Sequence, residues 1–100
     1  MTPEVPVKLL MIIVDSECRE ELEVLMRHHQ VDGYTEIPDT HGVGASGIRM
    51  GSSAHPKTSS IFFTVLTPDK IAPLKNDICA YCEACSKKMK LFVWGVEEVV

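Results

Sequence analysis

Three groups of residues in this 100-residue chain could do chemistry. The first is a glycine-rich stretch in which Gly42, Gly44, Gly47 and Gly51 alternate with His41, Ser46, Arg49, Ser52, Ser53, His55 and Lys57. Glycine reaches positive φ without a Cβ penalty and lets backbone N–H groups approach a ligand closely. Compact domains rarely carry about twenty residues of structureless connection unless these are functional or disordered. Residues 39–57 are therefore expected to be a functional loop, mobile in the absence of ligand because its serines and glycines bury little apolar surface to offset ordering entropy.

The second group is Cys79, Cys82 and Cys85, a C-x2-C-x2-C run. At 100° per helical residue the outer two lie about 120° apart on either side of Cys82, so one helix cannot aim all three at a single ion. Cys82 and Cys85 also fall within an apolar stripe, where free cysteine packs as a small hydrophobe. Core packing is the simpler reading, and metal or redox use is the alternative. The third group is the histidines. His28 is expected to be solvated, and His29 to pack on the first helix. His41, at the root of the glycine loop, is the candidate metal ligand, with a plain surface histidine as the simpler reading. No Ser/His/Asp or Cys/His spacing and no paired carboxylates form a recognisable catalytic motif, so no enzymatic activity is expected.

The elements that must position these residues follow from hydrophobic period. Lys8–Val14 is a short, continuous apolar run, expected to be a strand buried on both faces. Asp15 or Ser16 then caps a helix whose stripe is Cys18, Leu22, Leu25, Met26 and His29, with Glu23 and Arg27 as an exposed i,i+4 pair. Gly33 is the expected helix stop. Tyr34–Pro38 is the second strand, followed by the glycine loop to about Thr58, and Ser60–Leu66 is the third strand. Thr67-Pro68-Asp69 opens a second helix, in which Pro73 either kinks the first turns or marks the true start. Its expected buried stripe is Ile71, Leu74, Ile78, Tyr81, Cys82 and Cys85, and Leu91–Val96 is the last strand. The order β-α-β-β-α-β predicts an α+β fold, the ferredoxin-like plait, with four antiparallel strands and both helices on one face. The uncovered face, carrying residues such as Ile61 and Phe63, predicts an oligomer.

Composition bounds the rest. Hydrophobic residues make up 45% and charged residues 24%, as in an ordinary globular domain, and residues 1–100 read as a single domain. A net charge of −4 argues against nucleic-acid binding, which needs a basic face. The longest apolar run, Leu9–Val14, is far short of the ~20 residues that span a membrane. Met1–Pro6 lacks a basic region followed by an apolar stretch and reads as part of a short extended tail over residues 1–7. Clustered cysteines with no such leader predict a reduced, cytoplasmic setting.

With these elements in place, the chain from Lys8 to Val100 resembles the PII signal-transduction superfamily. The resemblance rests on Gly33-Tyr34-Thr35 opening the second strand and on Gly42-Val43-Gly44 leading into the T-loop. It rests further on Pro68-Asp69 at the second helix and Lys90-Leu91-Phe92-Val93 at the last strand. It implies a homotrimer that binds adenine nucleotides (AMP, ADP or ATP) between subunits and regulates a membrane transporter or an enzyme through the loop. By this resemblance adenine would lie against Thr35, Thr64 and Leu66. The amides of Gly42, Val43 and Gly44 would face phosphate, with Lys88 and Lys90 as cationic contacts. The chain departs from the family at Ala45-Ser46, Ser86-Lys87-Lys88-Met89 and Glu97-Glu98, where typical members have Arg-Gln, a glycine-rich loop and arginines. It therefore resembles a divergent PII-like paralogue with weak nucleotide affinity. The alternative is a metal-responsive module of the same fold that binds a divalent metal through His41, His55 and Cys79.

Overall fold

Val7–Asp15 forms strand β1, in which every second side chain is buried: Leu10, Ile12 and Val14. Leu9, Met11 and Ile13 alternate with them on the opposite face and are only half-buried. The run is thus covered from one side, which corrects the expectation of burial on both. The computed structural model describes residues 6–45, 47–85 and 89–100.

A single 3-10 turn, Ser16–Cys18, precedes helix α1, Arg19–His28. Asp15 caps that turn: its Oδ1 accepts from the Glu17 amide at 3.3 Å. Cys18, Leu22 and Met26 are buried and Leu25 partly so, along the expected stripe. Glu23 does not pair with Arg27. It bonds Arg19 at 2.9 Å and accepts from the Tyr34 hydroxyl at 2.8 Å. Nor does the helix stop at Gly33. Gln30 takes the left-handed conformation at φ 57°, its amide donating to the Arg27 carbonyl at 3.1 Å and the Val31 amide to the Met26 carbonyl at 3.0 Å. That is a Schellman motif with glutamine where glycine is usual.

Strand β2 is Thr35–Thr40, β3 is Gly42–Gly44, β4 is Gly47–Arg49 and β5 is Ser59–Leu66. Helix α2 runs Pro68–Cys85 with Pro73 inside it, so the helix starts at the Pro68 signal and tolerates the second proline. Strand β6 is Met89–Val96. The main sheet has the antiparallel order β2-β5-β1-β6, with β3 and β4 forming a separate hairpin. This is the ferredoxin-like plait, two interleaved right-handed βαβ units. The glycine segment contains regular structure, since Gly42, Val43 and Gly44 face Arg49, Ile48 and Gly47.

The core lies between the sheet and both helices and is built from Phe62, Leu10, Ile12, Leu22, Met26 and Leu74, with Val14, Ile78, Cys18 and Leu66 around them. His29 Nε2 bonds Asp77 Oδ2 at 2.6 Å and ties α1 to α2. Register places Leu9 opposite Val65 and Trp94, Met11 opposite Phe63 and Phe92, and Ile13 opposite Ile61 and Lys90. Thr35 and Ile37 of β2 continue the same face beside Phe63 and Ile61. Among the described residues no helix covers this face. Ile37, Val65, Phe92 and Trp94 on it are 44–48% exposed.

Candidate functional site

The two ends of the sheet carry different structures. At one end, a cleft of about 270 Å³ is lined by Val7, Asp32, Gly33, Val65, Leu66, Thr67, Lys70 and Glu98. It forms because the Schellman turn drops the chain from α1 to the start of β2 across the first turn of α2. Two hydrogen bonds hold its walls. Lys70 Nζ donates to the Gln30 carbonyl at 2.9 Å, and Thr64 Oγ1 donates to the Gly33 carbonyl at 2.6 Å. A side chain added at Gly33 would meet open space, so the backbone there leaves the cleft accessible.

The cleft's chemistry is a short apolar wall, Val7, Val65 and Leu66, facing the carboxylates of Asp32 and Glu98 and the ammonium of Lys70. Carboxylates accept hydrogen bonds from hydroxyl or amino groups, and one lysine offers a single positive charge already shared with a carbonyl. The volume is at the lower limit of ordinary small-molecule pockets, which start at about 300 Å³. A larger ligand needs walls from elsewhere.

At the opposite end, the chain leaves β2 through a bulge in which Asp39 sits at φ 53°. Thr58 organises the return. Its hydroxyl donates to Asp39 Oδ1 at 3.2 Å and lies 2.7 Å from Ser16 Oγ, and its carbonyl accepts from the Ser16 amide at 3.1 Å. Arg49 Nη1 lies 3.1 Å from Asp15 Oδ2 and 3.4 Å from the Thr58 carbonyl. Gly51 has φ 64°, and a Cβ there would come within 3.1 Å of Thr58 Cγ2 and 3.3 Å of His41 Nε2. Both the left-handed backbone and the close neighbours favour glycine at Gly51. Gly42 and Gly44 are extended and meet no such constraint.

The residues expected to bind ligand are distributed over both ends. Leu66 lines the cleft, its side chain buried on the helix side. Thr64 is buried on that side too, with its hydroxyl committed to the Gly33 carbonyl, and it does not line the cleft. Thr35 lies on the uncovered face beside Phe63. Gly42, Val43 and Gly44 are exposed in the hairpin, about 30 Å along the chain direction from Gly33 at strand rise. Lys90 sits on the far edge strand opposite Ile13. It is three strand spacings, about 14 Å, from β2. Lys88 lies outside the described residues. Within one protomer these groups do not converge.

Asp32, Val65 and Lys70 were not singled out from the sequence, and Glu98 stood out only as a departure from the family's arginines. Asp32 and Lys70 depend on the Gln30 turn, which no glycine announces. His41 is exposed, and among the described residues no group of three or more His, Cys, Asp or Glu side chains could hold a metal. Cys79 and Cys85 are exposed, and Cys82 is half-buried against the core. The stripe expected to include Cys85 therefore ends one turn earlier. Cys18, buried beneath α1, lies against Tyr81, whose phenol is pushed up to about 12 first by burial and then by that thiol. Among the described residues no helix is long and apolar enough to cross a membrane.

No protein-family model and no curated protein matches the chain. Solved structures do. CPII, a nitrogen regulatory PII-like protein from Thiomonas intermedia K12 bound to ADP, AMP and bicarbonate, superposes with a TM-score of 0.72 at 22% identity, over 91% of this chain and 88% of that one. The apo form of the same protein gives 0.66 at 20% identity, over 91% of each chain. A DUF3240-family protein from Shewanella baltica OS155 gives 0.71 at 11% identity, over 98% of this chain and 97% of that one. Similarity runs the whole length of the chain at identities that speak for architecture alone. The chain has the fold of the PII-like proteins.

Proposed function

We propose that this chain is a PII-like regulatory protein. It assembles as a homotrimer, binds an adenine nucleotide in clefts completed between subunits, and acts through residues 39–57 on a transporter or an enzyme without catalysing a reaction. The observation that carries this reading is the pairing of a small cleft at Gly33, Val65 and Leu66 with an adjoining apolar sheet face that no described element covers. A half-walled pocket beside an unfilled surface is what a ligand site at a subunit boundary requires. The likeness, over 91% of the chain, to a PII-like protein bound to ADP, AMP and bicarbonate supports the choice of ligand.

In this reading Leu66, Val65 and the backbone at Gly33 form the seat for adenine, with Thr64 holding the Gly33 carbonyl from behind, and Asp32 or Glu98 accepts from its sugar or amino group. Thr35, on the uncovered face, meets the neighbouring copy. Phosphates extend out of the cleft toward another subunit, whose exposed Gly42, Val43 and Gly44 amides and whose Lys88 and Lys90 supply hydrogen bonds and positive charge beyond the single Lys70 ammonium of this protomer's cleft. With no arginine in the cleft, affinity is weak and AMP or ADP is held about as well as ATP.

Calorimetry with AMP, ADP and ATP tests it. The wild-type chain should give a saturable heat that Gly33→Leu abolishes, since the added side chain fills the cleft without backbone strain. Binding left intact in Gly33→Leu, or no heat at millimolar nucleotide, would overturn the reading.

A further inference from the structure

The β3–β4 hairpin has almost nothing apolar with which to hold itself to the body. Its described residues are exposed, Val43 to 75%, with one exception. That exception is Arg49, whose side chain is 17% exposed and meets the Asp15 carboxylate, itself 14% exposed. A charge pair this far withdrawn from water is costly to break from one side, because the remaining charge is left without its partner. Asp15 has a second task. Its Oδ2 holds Arg49 while its Oδ1 caps the turn that leads into α1. One carboxylate therefore joins the hairpin, the end of β1 and the start of the first helix.

We propose that the Asp15–Arg49 pair is a latch that holds the hairpin down on the end of the sheet, and that opening it frees β3 and β4 as a unit while the plait stays folded. The Thr58 hub sits directly under the latch and takes Arg49 through its carbonyl, so the hairpin's return strand is fastened at the same point. The two flanking positive-φ residues, Asp39 before the hairpin and Gly51 after it, mark where the backbone turns on either side. Because Asp15 also caps the 3-10 turn that leads into α1, a displacement of that turn lengthens the Asp15–Arg49 contact. The first helix and the hairpin are coupled through one side chain. This coupling does not depend on the nucleotide reading and is tested without any ligand.

The test is backbone 15N relaxation on the full-length chain with two single variants and their double. Asp15→Asn removes the charge and keeps a residue that caps helices equally well. Arg49→Met removes the charge and keeps the stem. In each single variant the order parameters of Val43 and Ile48 should fall together from about 0.85 to below about 0.6, with β1 and β5 unchanged. The double variant should fall no further than either single one. Order parameters that hold in both single variants, a fall shared equally by β1 and β5, or an additive fall in the double variant would each overturn the latch.

Discussion

The two faces of the same four strands have opposite fates. On one, Leu10, Ile12, Val14, Phe62 and Leu66 lie under α1 and α2 and are lost to solvent. On the other, Met11, Ile13, Ile61, Phe63, Phe92 and Trp94 are similarly apolar, yet none of the described elements covers them. The difference teaches that hydrophobicity in this sequence is allotted to two separate tasks. One face specifies the fold of the protomer. The other is surplus to that fold, and contiguous exposed apolar faces are the kind of surface that proteins use for interaction.

The largest expected effect breaks the covered face. Phe62→Ala should cost about 3–5 kcal/mol by leaving a cavity at the centre of the core, read as a lowered urea midpoint with unchanged slope. Met11→Glu, one residue from the buried Ile12 but on the open face, should leave the protomer folded and abolish assembly. Its thermal midpoint should become independent of protein concentration, whereas the wild-type midpoint rises with it. If Met11→Glu unfolds the chain outright, the two faces are not separable as described.

A smaller effect sharpens the boundary between α1 and the β2 edge. Arg19 Nε and Nη2 bond Glu36 Oε2 and Oε1 at 2.6 and 2.5 Å, and these bonds hold the Glu36 carboxyl below its ordinary value of 4.5. A depressed folded value stabilises above the unfolded one and loses that contribution as pH falls through the folded value. Glu36→Gln should therefore lower stability at pH 7 and narrow its difference from wild type in acid. Equal differences at pH 7 and pH 3, by urea titration, would contradict the assignment. The smallest effect is at Gln30, where a left-handed backbone disfavours any side chain. Gln30→Gly should gain up to about 1 kcal/mol, less the entropy that glycine adds to the unfolded chain.

Much of this was legible in the sequence. Strand and helix periods are local, so β1, α1, β5 and α2 could be read from residue spacing, and their order alone implies the plait. The surplus face was legible too, since bulk at Ile61 and Phe63 exceeds what two helices on one side can cover. The rest depends on contacts between residues distant in the chain. Arg49 reaches Asp15 only once the hairpin has folded back, and Glu23 turns to Arg19 and Tyr34 because β2 passes beside α1. Gln30 closes a helix where glycine is usual, so the turn that shapes the cleft carried no signal. The glycine segment was misjudged as irregular because three-residue strands leave too few periods to detect.

Light scattering on the purified chain at micromolar concentration tests the two-face account most directly. The account predicts a single species at three times the 11.1 kDa protomer mass, reduced to the protomer mass in Met11→Glu. A stable wild-type species at 11.1 kDa would contradict it, because the apolar face would then rest in water.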